Sequence, residues 1–455
     1  RLSFGGTSAA PPLLAALLFA VHPLNTEAVA YCVGRADLLA ALLGLAGLRS
    51  HAAFVRSVVR DRRIGGAAAL GLGLLASSLL AAALAAKETA LMLLPACAIF
   101  DLLLHSDALH HDTLAAGAVE GACVRPMPDA GKEARPAGRE ASSEPTMPRS
   151  SSRRRLALLL ACCWVHLALL AVAFAWLRFA MAGPIVSRFR RLDNPVPFEP
   201  SRAARLLTYG RLHSVVASLL VWPLTLSADY SHEALPTVKH FSDPANIATA
   251  VTYGTLAVAL AWCCRRIAAG CRAAVADDGR SPRLAAGVTP SSAWTAGDSS
   301  SRGRDAAVAL AWLLLLLLAF APASHIVLPL SFVIAERLLY VPCAAFCALL
   351  ALCHRQLRRY GPRCRLAARS LVGAALIMGG ARTARRNCDW VDDATLFGAA
   401  ATAYPNSAKA TYQVADHMVQ RGAVAAAVPL LRRSLQIEPD YHYAYLHLAR
   451  MALTG

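Results

Sequence analysis

Long uninterrupted apolar segments are the feature that most restricts the fold of this 455-residue chain. Segments 64–86, 156–183 and 306–323 each have about the length that a helix needs to cross the hydrocarbon core of a bilayer. Charged residues make up 16% of the chain, whereas a soluble domain carries about 25%. The sequence therefore predicts an all-α, polytopic transmembrane helical bundle.

The net charge of +18 does not by itself indicate a nucleic-acid-binding protein. The arginines concentrate in short segments between apolar runs, where the positive-inside rule places them in the cytosol, and no basic stripe is interleaved with aromatic residues. The thirteen cysteines are scattered without a CxxC pair, so their spacing predicts no metal site. We predict no nucleic-acid partner and interpret the cysteines as small buried hydrophobic residues.

The basic segments also predict a sidedness. Residues 49–63 contain five arginines and one acid and are placed in the cytosol, so one continuous helix over about 26–48 descends to that side. Segment 89–104 is predicted as a returning span. Alternation of the spans then requires that 207–245 stay on, or dip back to, the non-cytosolic side, although 207–227 is apolar.

The end of the chain contains a repeat. Pro405 and Pro439 are 34 residues apart, and the small and apolar residues between them, including Ala415 and Ala427, follow the tetratricopeptide pattern. One repeat cannot bury its faces alone. We therefore expect an α-solenoid of further repeats beyond Gly455.

The sequence predicts eight regions with distinct compositions. They are 1–104, the first transmembrane helices; 105–155, a disordered cytosolic loop; 156–263, a transmembrane and non-cytosolic region; 264–304, a flexible cytosolic loop; 305–382, the last transmembrane helices; 383–407, a connector or half repeat; 408–441, a tetratricopeptide repeat; and 442–455, the start of the next repeat.

Four groups of charged residues interrupt the apolar pattern, and the predicted sidedness places all four on the non-cytosolic face. Charge in apolar spans is costly and usually marks a function. The groups are "HPLNTEAVAYCVGRAD" (22–37), "KE" (87–88), "RFRRLDNP" (188–195) and "ERLLY" (336–340). We predict that the four groups converge.

In the first group, Glu27, Tyr31, Gly34 and Arg35 would share one face of a continuous helix. We predict that Gly34 admits a close helix or lipid chain. Arg35 is predicted to bind an anion or to pair with Glu27 or Asp37, the latter being the expected partner. A network of ion pairs that serves packing alone remains the alternative for this group.

Each of the other groups also has an alternative. Lys87 and Glu88 could be interfacial charges. The three arginines of "RFRRLDNP", which are Arg188, Arg190 and Arg191, could bind phosphate or be ordinary surface charge. Glu336 and Arg337 are expected to need partners, because they lie inside an apolar helix, and packing alone remains open for them too.

Several motifs occur together in a fixed order. They are "LFAVHPLNTEAVAYCVGRADLL", "KETALMLLPACAIFDLL", "RFRRLDNP", "FVIAERLLYVPC" and "RTARRNCDWVDDATLFGAAATAYPNSAK", followed by the repeat. With these motifs the chain resembles the transmembrane and tetratricopeptide repeat-containing O-mannosyltransferases over nearly its whole length, except in the two low-complexity loops.

The resemblance implies a GT-C-type core in the endoplasmic reticulum membrane, with the repeats in the lumen. It implies transfer of mannose from the donor substrate dolichyl phosphate mannose to Ser or Thr of secretory-pathway proteins such as cadherins, without a tightly bound cofactor. The metal dependence stays undetermined.

With this family in view, we expect phosphate contacts from Arg337 and Arg35, with Lys87 next. The other predicted contributors to the donor pocket are His22, Glu27, Glu336, Glu88, Tyr340 and Arg191. Family members carry a luminal acidic loop ahead of the His-Pro motif, and GT-C enzymes usually take the catalytic acid from such a loop. Because this chain begins at Arg1, we expect a fragment at both ends and name Glu27 only as a fallback base.

Two other functions are weighed against the transferase. A non-enzymatic membrane scaffold, with repeats that bind client or chaperone proteins, would account for the tail but not for convergent buried charges. A transporter would favour charges near the bilayer midplane and paired pseudo-repeats, and the spans contain no internal repeat.

Overall fold

The computed structural model describes residues 10–60, 66–102, 149–182, 191, 193–231, 233–278, 290–326 and 329–454. All regular structure within these residues is helical, which confirms the all-α class. The helices are α1 (Ala10–Ala20), α2 (Thr26–Ala30), α3 (Arg35–Arg60), α4 (Gly66–Ala86), α5 (93–102), α6 (Arg149–Ala182), α7 (Arg202–Val221), α8 (Ala245–Asp278), α9 (Pro290–Phe320), α10 (Tyr340–Leu357), α11 (Pro362–Asp389), α12 (Asp393–Ala403), α13 (Ala408–Gln420), α14 (Val424–Ile437) and α15 (His442–Thr454). Four short 3₁₀ segments that matter for the site are Pro23–Asn25, Cys32–Gly34, Glu88–Met92 and Glu336–Leu339.

Seven helical stretches in the described part of the chain are long and apolar enough to cross a membrane. They are Cys32–Val58, Gly66–Ala86, Leu158–Met181, Ala245–Arg272, Arg302–Ala323, Glu336–Leu357 and Pro362–Asp389. An eighth candidate is the pair Ala10–Ala20 and Pro23–Ala30, which is bent by 58°. The chain is a multi-pass membrane protein.

The prediction of one continuous helix over about 26–48 is wrong. α2 ends at Ala30, and Tyr31 adopts extended backbone before the turn Cys32–Gly34 and α3. A Cβ atom on Gly34 would contact the Ala28 carbonyl oxygen and lie 2.8 Å from Ala28 Cα. Gly34 therefore serves this tight turn and not a neighbouring helix or lipid chain. Consequently Glu27, Tyr31, Gly34 and Arg35 do not share one helix face.

Helix α5 runs alongside α3 in the same direction. Leu93 packs against Gly44, and Asp101 accepts a 3.0 Å hydrogen bond from the His51 Nε2 atom. The two helices therefore run parallel over this length, but α5 is not among the membrane-crossing candidates of the described residues, so the returning span at 89–104 stays a prediction. Residues 103 and 104 lie outside the described residues.

Helix α7 is not among the membrane-crossing candidates of the described chain, and it lies across one end of the bundle. Near its middle, Arg211 donates to the Pro236 carbonyl (2.9 Å) and His213 Nε2 donates to the Ser324 carbonyl (2.8 Å). In its last turn, Leu220 accepts from His22 (3.0 Å). We call this end of the bundle, which contains His22 and Ser324, the polar end. These contacts fit the prediction that 207–245 stays on, or dips back to, one side, and the side itself stays a prediction.

At the opposite end, one acidic residue joins two spans. Asp305 accepts hydrogen bonds from Gln356 (2.7 Å) and Arg359 (2.8 Å) and pairs with Arg355. It therefore ties the start of one membrane segment, in α9, to the end of α10.

Several helices extend into segments predicted as loops. α6 begins at Arg149, inside the predicted loop 105–155, while α8 continues to Asp278 and α9 begins at Pro290, both inside 264–304. The ends of the apolar segments do not predict the ends of these helices, because a helix can continue past the bilayer into water. The rest of these predicted loops, 105–148 and 279–289, lies outside the described residues.

Residues 408–454 form antiparallel helices after α12. Ala415 of α13 and Ala427 of α14 are fully buried at their crossing, together with Leu431. Gly422, at φ +80°, supplies the left-handed turn between them. This packing fits a tetratricopeptide hairpin, and we refer to α13 and α14 as the first predicted repeat.

We expect Gly34→Ala to destabilise the protein by about 1–3 kcal/mol, because the added methyl group overpacks the turn against Ala28. Gly71→Ala is the matched control, since nothing lies within 4 Å of a Cβ atom there. Thermal unfolding in nanodiscs measures both variants. Equal transition temperatures for the two would contradict the assigned role of Gly34.

Candidate functional site

Glu27 and Arg337 form an ion pair at the polar end. Arg337 donates from Nη1 to Glu27 Oε1 (2.6 Å) and from its backbone N–H to Oε2 (3.1 Å). The Glu27 residue is only 2% exposed. The guanidinium carbon also lies 5.6 Å from the Tyr31 ring centroid and 5.8 Å from that of Phe332, a favourable setting for a cation. Glu27 is therefore the counter-ion of Arg337.

Glu336, the residue before Arg337, is fully buried among different partners. Its Oε1 atom accepts from Tyr230 O–H (2.6 Å) and from Ser227 N–H (2.8 Å). Its Oε2 atom lies 3.7 Å from Arg386 Nη2. Burial and the nearby Glu336 carboxylate raise the pKa of Tyr230 well above its ordinary value. The phenol therefore stays protonated and donates to Glu336.

Arg386 is also fully buried. It pairs with Asp389 at 3.2 Å, and its guanidinium carbon lies 5.7 Å from the Trp390 ring centroid. Two buried carboxylates, from Glu27 and Glu336, are thus matched by the guanidinium groups of Arg337 and Arg386. Pairing of this kind is what charges need in a low-dielectric environment.

A second ion pair lies beside this network. Lys87 Nζ contacts Asp37 Oδ2 at 2.5 Å, and both side chains are largely buried. Asp37, Thr89, Arg337 and Tyr340 line one cavity between the start of α3 and the start of α10. We call Glu27, Asp37, Lys87, Glu336, Arg337 and Arg386 the polar cluster.

The prediction that Arg35 pairs with Glu27 or Asp37 is wrong. Arg35 is exposed, while Glu27 pairs with Arg337 and Asp37 pairs with Lys87. The physical reason is the break between α2 and α3, which changes the direction of the chain between Glu27 and Arg35. Arg35 is not among the residues that line the cavity.

The other predicted site residues occupy distinct places. His22 uses both ring nitrogens on backbone groups: Nε2 donates to Leu220 O, and Nδ1 accepts from Leu24 N (3.3 Å). The Tyr340 ring packs edge-on against Phe19, with 4.9 Å between the ring centroids. Both residues therefore help to hold the polar end together, and Tyr340 also lines the cavity.

Glu88 and Arg191 lie nearer the surface. Glu88 pairs with Arg178 at 2.6 Å, but its side chain is 60% exposed. Arg191 is exposed and does not line the cavity. Arg188 and Arg190 lie outside the described residues. Of the four predicted charged groups, the first, the second and the fourth therefore contribute residues to the polar cluster.

Sequence reasoning missed Arg386, Tyr230 and Ser227. Arg386 occurs in "RTARRNCDW", a motif noticed only as part of the resemblance, and three arginines of that motif are indistinguishable by spacing. Tyr230 belongs to "SADYS" (227–231), where one Asp beside aromatic residues is a weak signal. These residues are recognised by their contacts with the buried Glu336 carboxylate. Such contacts are visible only in the tertiary structure.

The cluster is suited to binding an anion. The Arg337 side chain is 21% exposed and that of Lys87 is 18% exposed, so each retains access from outside. The Arg337 Nε atom is buried without a hydrogen-bond partner among the residues that the structure describes. Arginine stays charged when desolvated and can bind phosphate through two donors. Among the described residues no three His, Cys, Asp or Glu side chains are grouped to hold a metal ion.

Comparison with known proteins agrees with the motifs. Residues 183–257 match the family described as "Protein O-mannosyl-transferase TMTC, DUF1736". The chain is 30% identical to Protein O-mannosyl-transferase Tmtc1 of Drosophila melanogaster, with 96% of the chain and 49% of that protein aligned. It is 28% identical to mouse TMTC1 (96% and 47%) and 27% identical to human TMTC4 (91% and 48%).

The chain thus spans about half the length of the curated relatives it matches. No solved structure matches it. Because the similarity covers nearly all of this chain, the resemblance to the O-mannosyltransferases is confirmed.

We expect Glu27→Gln to lower the free energy of unfolding by about 3 kcal/mol, because it leaves the Arg337 guanidinium without its counter-ion. The matched control is Glu88→Gln, which removes a largely exposed pair and should cost less than about 1 kcal/mol. Thermal unfolding in nanodiscs compares them. A Glu88 variant as unstable as the Glu27 variant would refute the role of burial.

Proposed function

We propose that this chain, which is related to the TMTC protein O-mannosyl-transferases along nearly its whole length, forms the donor-binding part of an enzyme that transfers mannose from dolichyl phosphate mannose to Ser or Thr hydroxyl groups. The observation that carries the proposal is one cavity lined by Arg337 and Asp37, with Lys87 paired to Asp37 beside it. These cations come from distant parts of the sequence and meet at one end of a membrane bundle, where a lipid-linked phosphate could reach them.

The proposed chemistry is inverting glycosyl transfer. The acceptor hydroxyl oxygen forms a bond to the mannosyl C1 atom and gives its proton to a carboxylate base, while the bond between C1 and the phosphate oxygen breaks. Negative charge then develops on the departing dolichyl phosphate, and C1 is oxocarbenium-like in the transition state. Hydrogen-bond donors that already point at the developing charge stabilise the transition state. Arg337 is proposed to supply the main hydrogen bonds to the departing phosphate, with Lys87 beside it.

Glu27 then acts as a positioning residue and not as the base. Both of its carboxylate oxygens accept hydrogen bonds from Arg337, one from the side chain and one from the backbone. This fixes the guanidinium group with respect to the start of α10. Glu336 has the same kind of role in the proposal, since Tyr230 and Ser227 hold its Oε1 atom.

We further propose that the protein resides in the endoplasmic reticulum membrane, with the polar end and the repeats in the lumen. The arginine-rich segments predicted to be cytosolic support this sidedness, because Arg355 lies at the end of the Glu336–Leu357 span that is opposite Glu336, and Arg359 lies just beyond that end. The acceptors would be secretory-pathway proteins, with cadherin-like proteins as the first to test.

A non-enzymatic scaffold is the competing function. It would account for the helical repeat but would not need buried cations at a cavity. Polar residues in membrane segments are expensive and are usually retained for function, so the cluster favours the transferase.

The test is mannose transfer to a cadherin-derived acceptor peptide, with dolichyl phosphate mannose as donor, in membranes that contain the protein. We expect Arg337→Ala to lower kcat/KM by about 100-fold or more, the typical cost of losing one donor to the developing charge. Arg337→Lys should retain part of the activity, because it keeps the charge but loses the second donor.

Arg363→Ala is the control, since Arg363 is exposed at the start of α11, at the opposite end of the bundle. Equal activity of the wild type and Arg337→Ala would overturn the phosphate assignment. Arg35→Ala, assayed in parallel, separates the two predicted phosphate-binding arginines. A larger loss for Arg35 than for Arg337 would move the site away from the polar cluster.

A further inference from the structure

Residues 227–231 contact both the polar cluster and the first predicted repeat. On one side, Ser227 N–H and Tyr230 O–H donate to Glu336 Oε1, at 2.8 and 2.6 Å. On the other side, Asp229 Oδ2 pairs with Lys409 Nζ of α13. Asp229 is adjacent to Tyr230 and lies two positions after Ser227, so the same short segment links the two units.

This segment, "SADYS", is held rigidly by its own hydrogen bonds. Ser227 Oγ donates to the Asp229 carbonyl (2.8 Å), and Asp229 Oδ1 accepts from Ser231 N–H (2.7 Å) and from the Ser231 hydroxyl. Ser227, Tyr230 and Ser231 are all buried. A movement of Asp229 would therefore be passed to Tyr230 and to its hydrogen bond with Glu336.

The ionic contact with the repeat is accompanied by an aromatic contact with the segment just before it. The Tyr230 ring packs edge-on against Tyr404, which lies directly after α12, with 5.2 Å between the ring centroids. Burial raises the pKa of Asp229, but the Lys409 ammonium and the Ser231 hydrogen bonds outweigh burial and hold that pKa below its ordinary value. The ionised Asp229 therefore stabilises the folded protein above about pH 4. This contribution to stability is lost only as the pH falls below that value.

Within the described residues the repeat is attached to the bundle both through the chain itself and through a side-chain contact. The first is covalent, through α11 and α12, and the last turn of α11 carries Arg386, which faces Glu336. The second is the contact of Lys409 with Asp229. One attachment alone would leave α13 and α14 free to pivot about the α11–α12 connection, whereas two attachments define their orientation.

We propose that Asp229 and Lys409 are positioning residues that hold the first predicted repeat in a fixed orientation to the polar cluster, so that a polypeptide bound along the repeats is presented to the mannosyl donor. This inference rests on the proposed transferase function. In this proposal the segment "SADYS" keeps the acceptor-binding repeat aligned with the donor site. Correct alignment of two reactants can account for a large part of an enzymatic rate enhancement.

The kinetic test separates the two substrates. We expect Lys409→Met to raise the KM for the cadherin-derived acceptor about tenfold, equivalent to about 1.4 kcal/mol, while the KM for dolichyl phosphate mannose stays within about twofold. Lys409→Arg should restore the acceptor KM, because it preserves the cation opposite Asp229. Lys239→Met is the control, since Lys239 is an exposed lysine of the same connecting segment between α7 and α8.

An unchanged acceptor KM in Lys409→Met would overturn the proposal. So would an equal rise in both KM values, which would indicate general loss of structure, or a failure of Lys409→Arg to restore the acceptor KM.

A second measurement does not depend on transfer. Spin labels are introduced at Arg202 of α7 and Gln420 of α13, both exposed, as genetically encoded amino acids, because the chain carries thirteen cysteines. We expect a narrow distance distribution for the wild type and for Lys409→Arg, and a clearly broader one for Lys409→Met. An equally narrow distribution for Lys409→Met would refute the positioning role.

The two measurements distinguish the two proposals. If the Lys409→Met distribution broadens but the wild type transfers no mannose, the attachment stands and the transferase function fails. If the wild type transfers mannose and the Lys409→Met distribution stays narrow, the transferase stands and the positioning role fails.

Discussion

The Glu27–Arg337 ion pair joins two segments that are far apart in the sequence, and the organisation of the polar end depends on it. A buried charge without its partner costs several kcal/mol, so each residue of the pair depends on the other. Glu27 satisfies the guanidinium group and, with its second oxygen, the backbone N–H of Arg337. The pair thereby fixes α2 against the start of α10, where Asp37, Arg337 and Tyr340 line one cavity and Lys87 pairs with Asp37.

The polar cluster is built largely at interruptions of helices. Asp37 lies in the first turn of α3, just after Cys32–Gly34; Lys87 precedes Glu88–Met92; and Glu336 and Arg337 open Glu336–Leu339. Irregular backbone at membrane depth must find hydrogen-bond partners inside the protein. Side chains of this region supply them, as His22 does for Leu24 and Glu27 does for Arg337. The helix breaks that leave backbone groups unpaired are therefore also the places where the charged side chains lie close together.

Glu336 lies between the proposed donor site and the proposed acceptor-binding repeat and contacts segments that lead to both. This carboxylate contacts Arg386 from the helix that leads into the repeat, and Tyr230 and Ser227 from the segment that contacts Lys409. Its neighbour Arg337 lines the cavity. A single buried carboxylate thus connects the two functional parts of the proposed enzyme.

The meeting of charged groups at one end was predictable because buried charge is costly and because arginine distribution indicates sidedness. The partners were not predictable. Arg35 follows Glu27 at helical spacing, yet the turn at Gly34 removes it from the cluster and leaves Lys87 to pair with Asp37. Arg386 has the same local sequence character as Arg382 and Arg385, and only packing of α11 against Glu336 distinguishes it.

The sequence by itself determined the all-α membrane class, the positions of most spans and the 34-residue spacing at the end of the chain. These properties follow from local composition and periodicity, which each segment carries without reference to the others. The tertiary structure decided which carboxylate meets which cation, where the helix after His22 breaks, and how 227–231 joins the bundle to the first predicted repeat. Those contacts depend on distances between segments that are remote in the chain, and no local pattern encodes them.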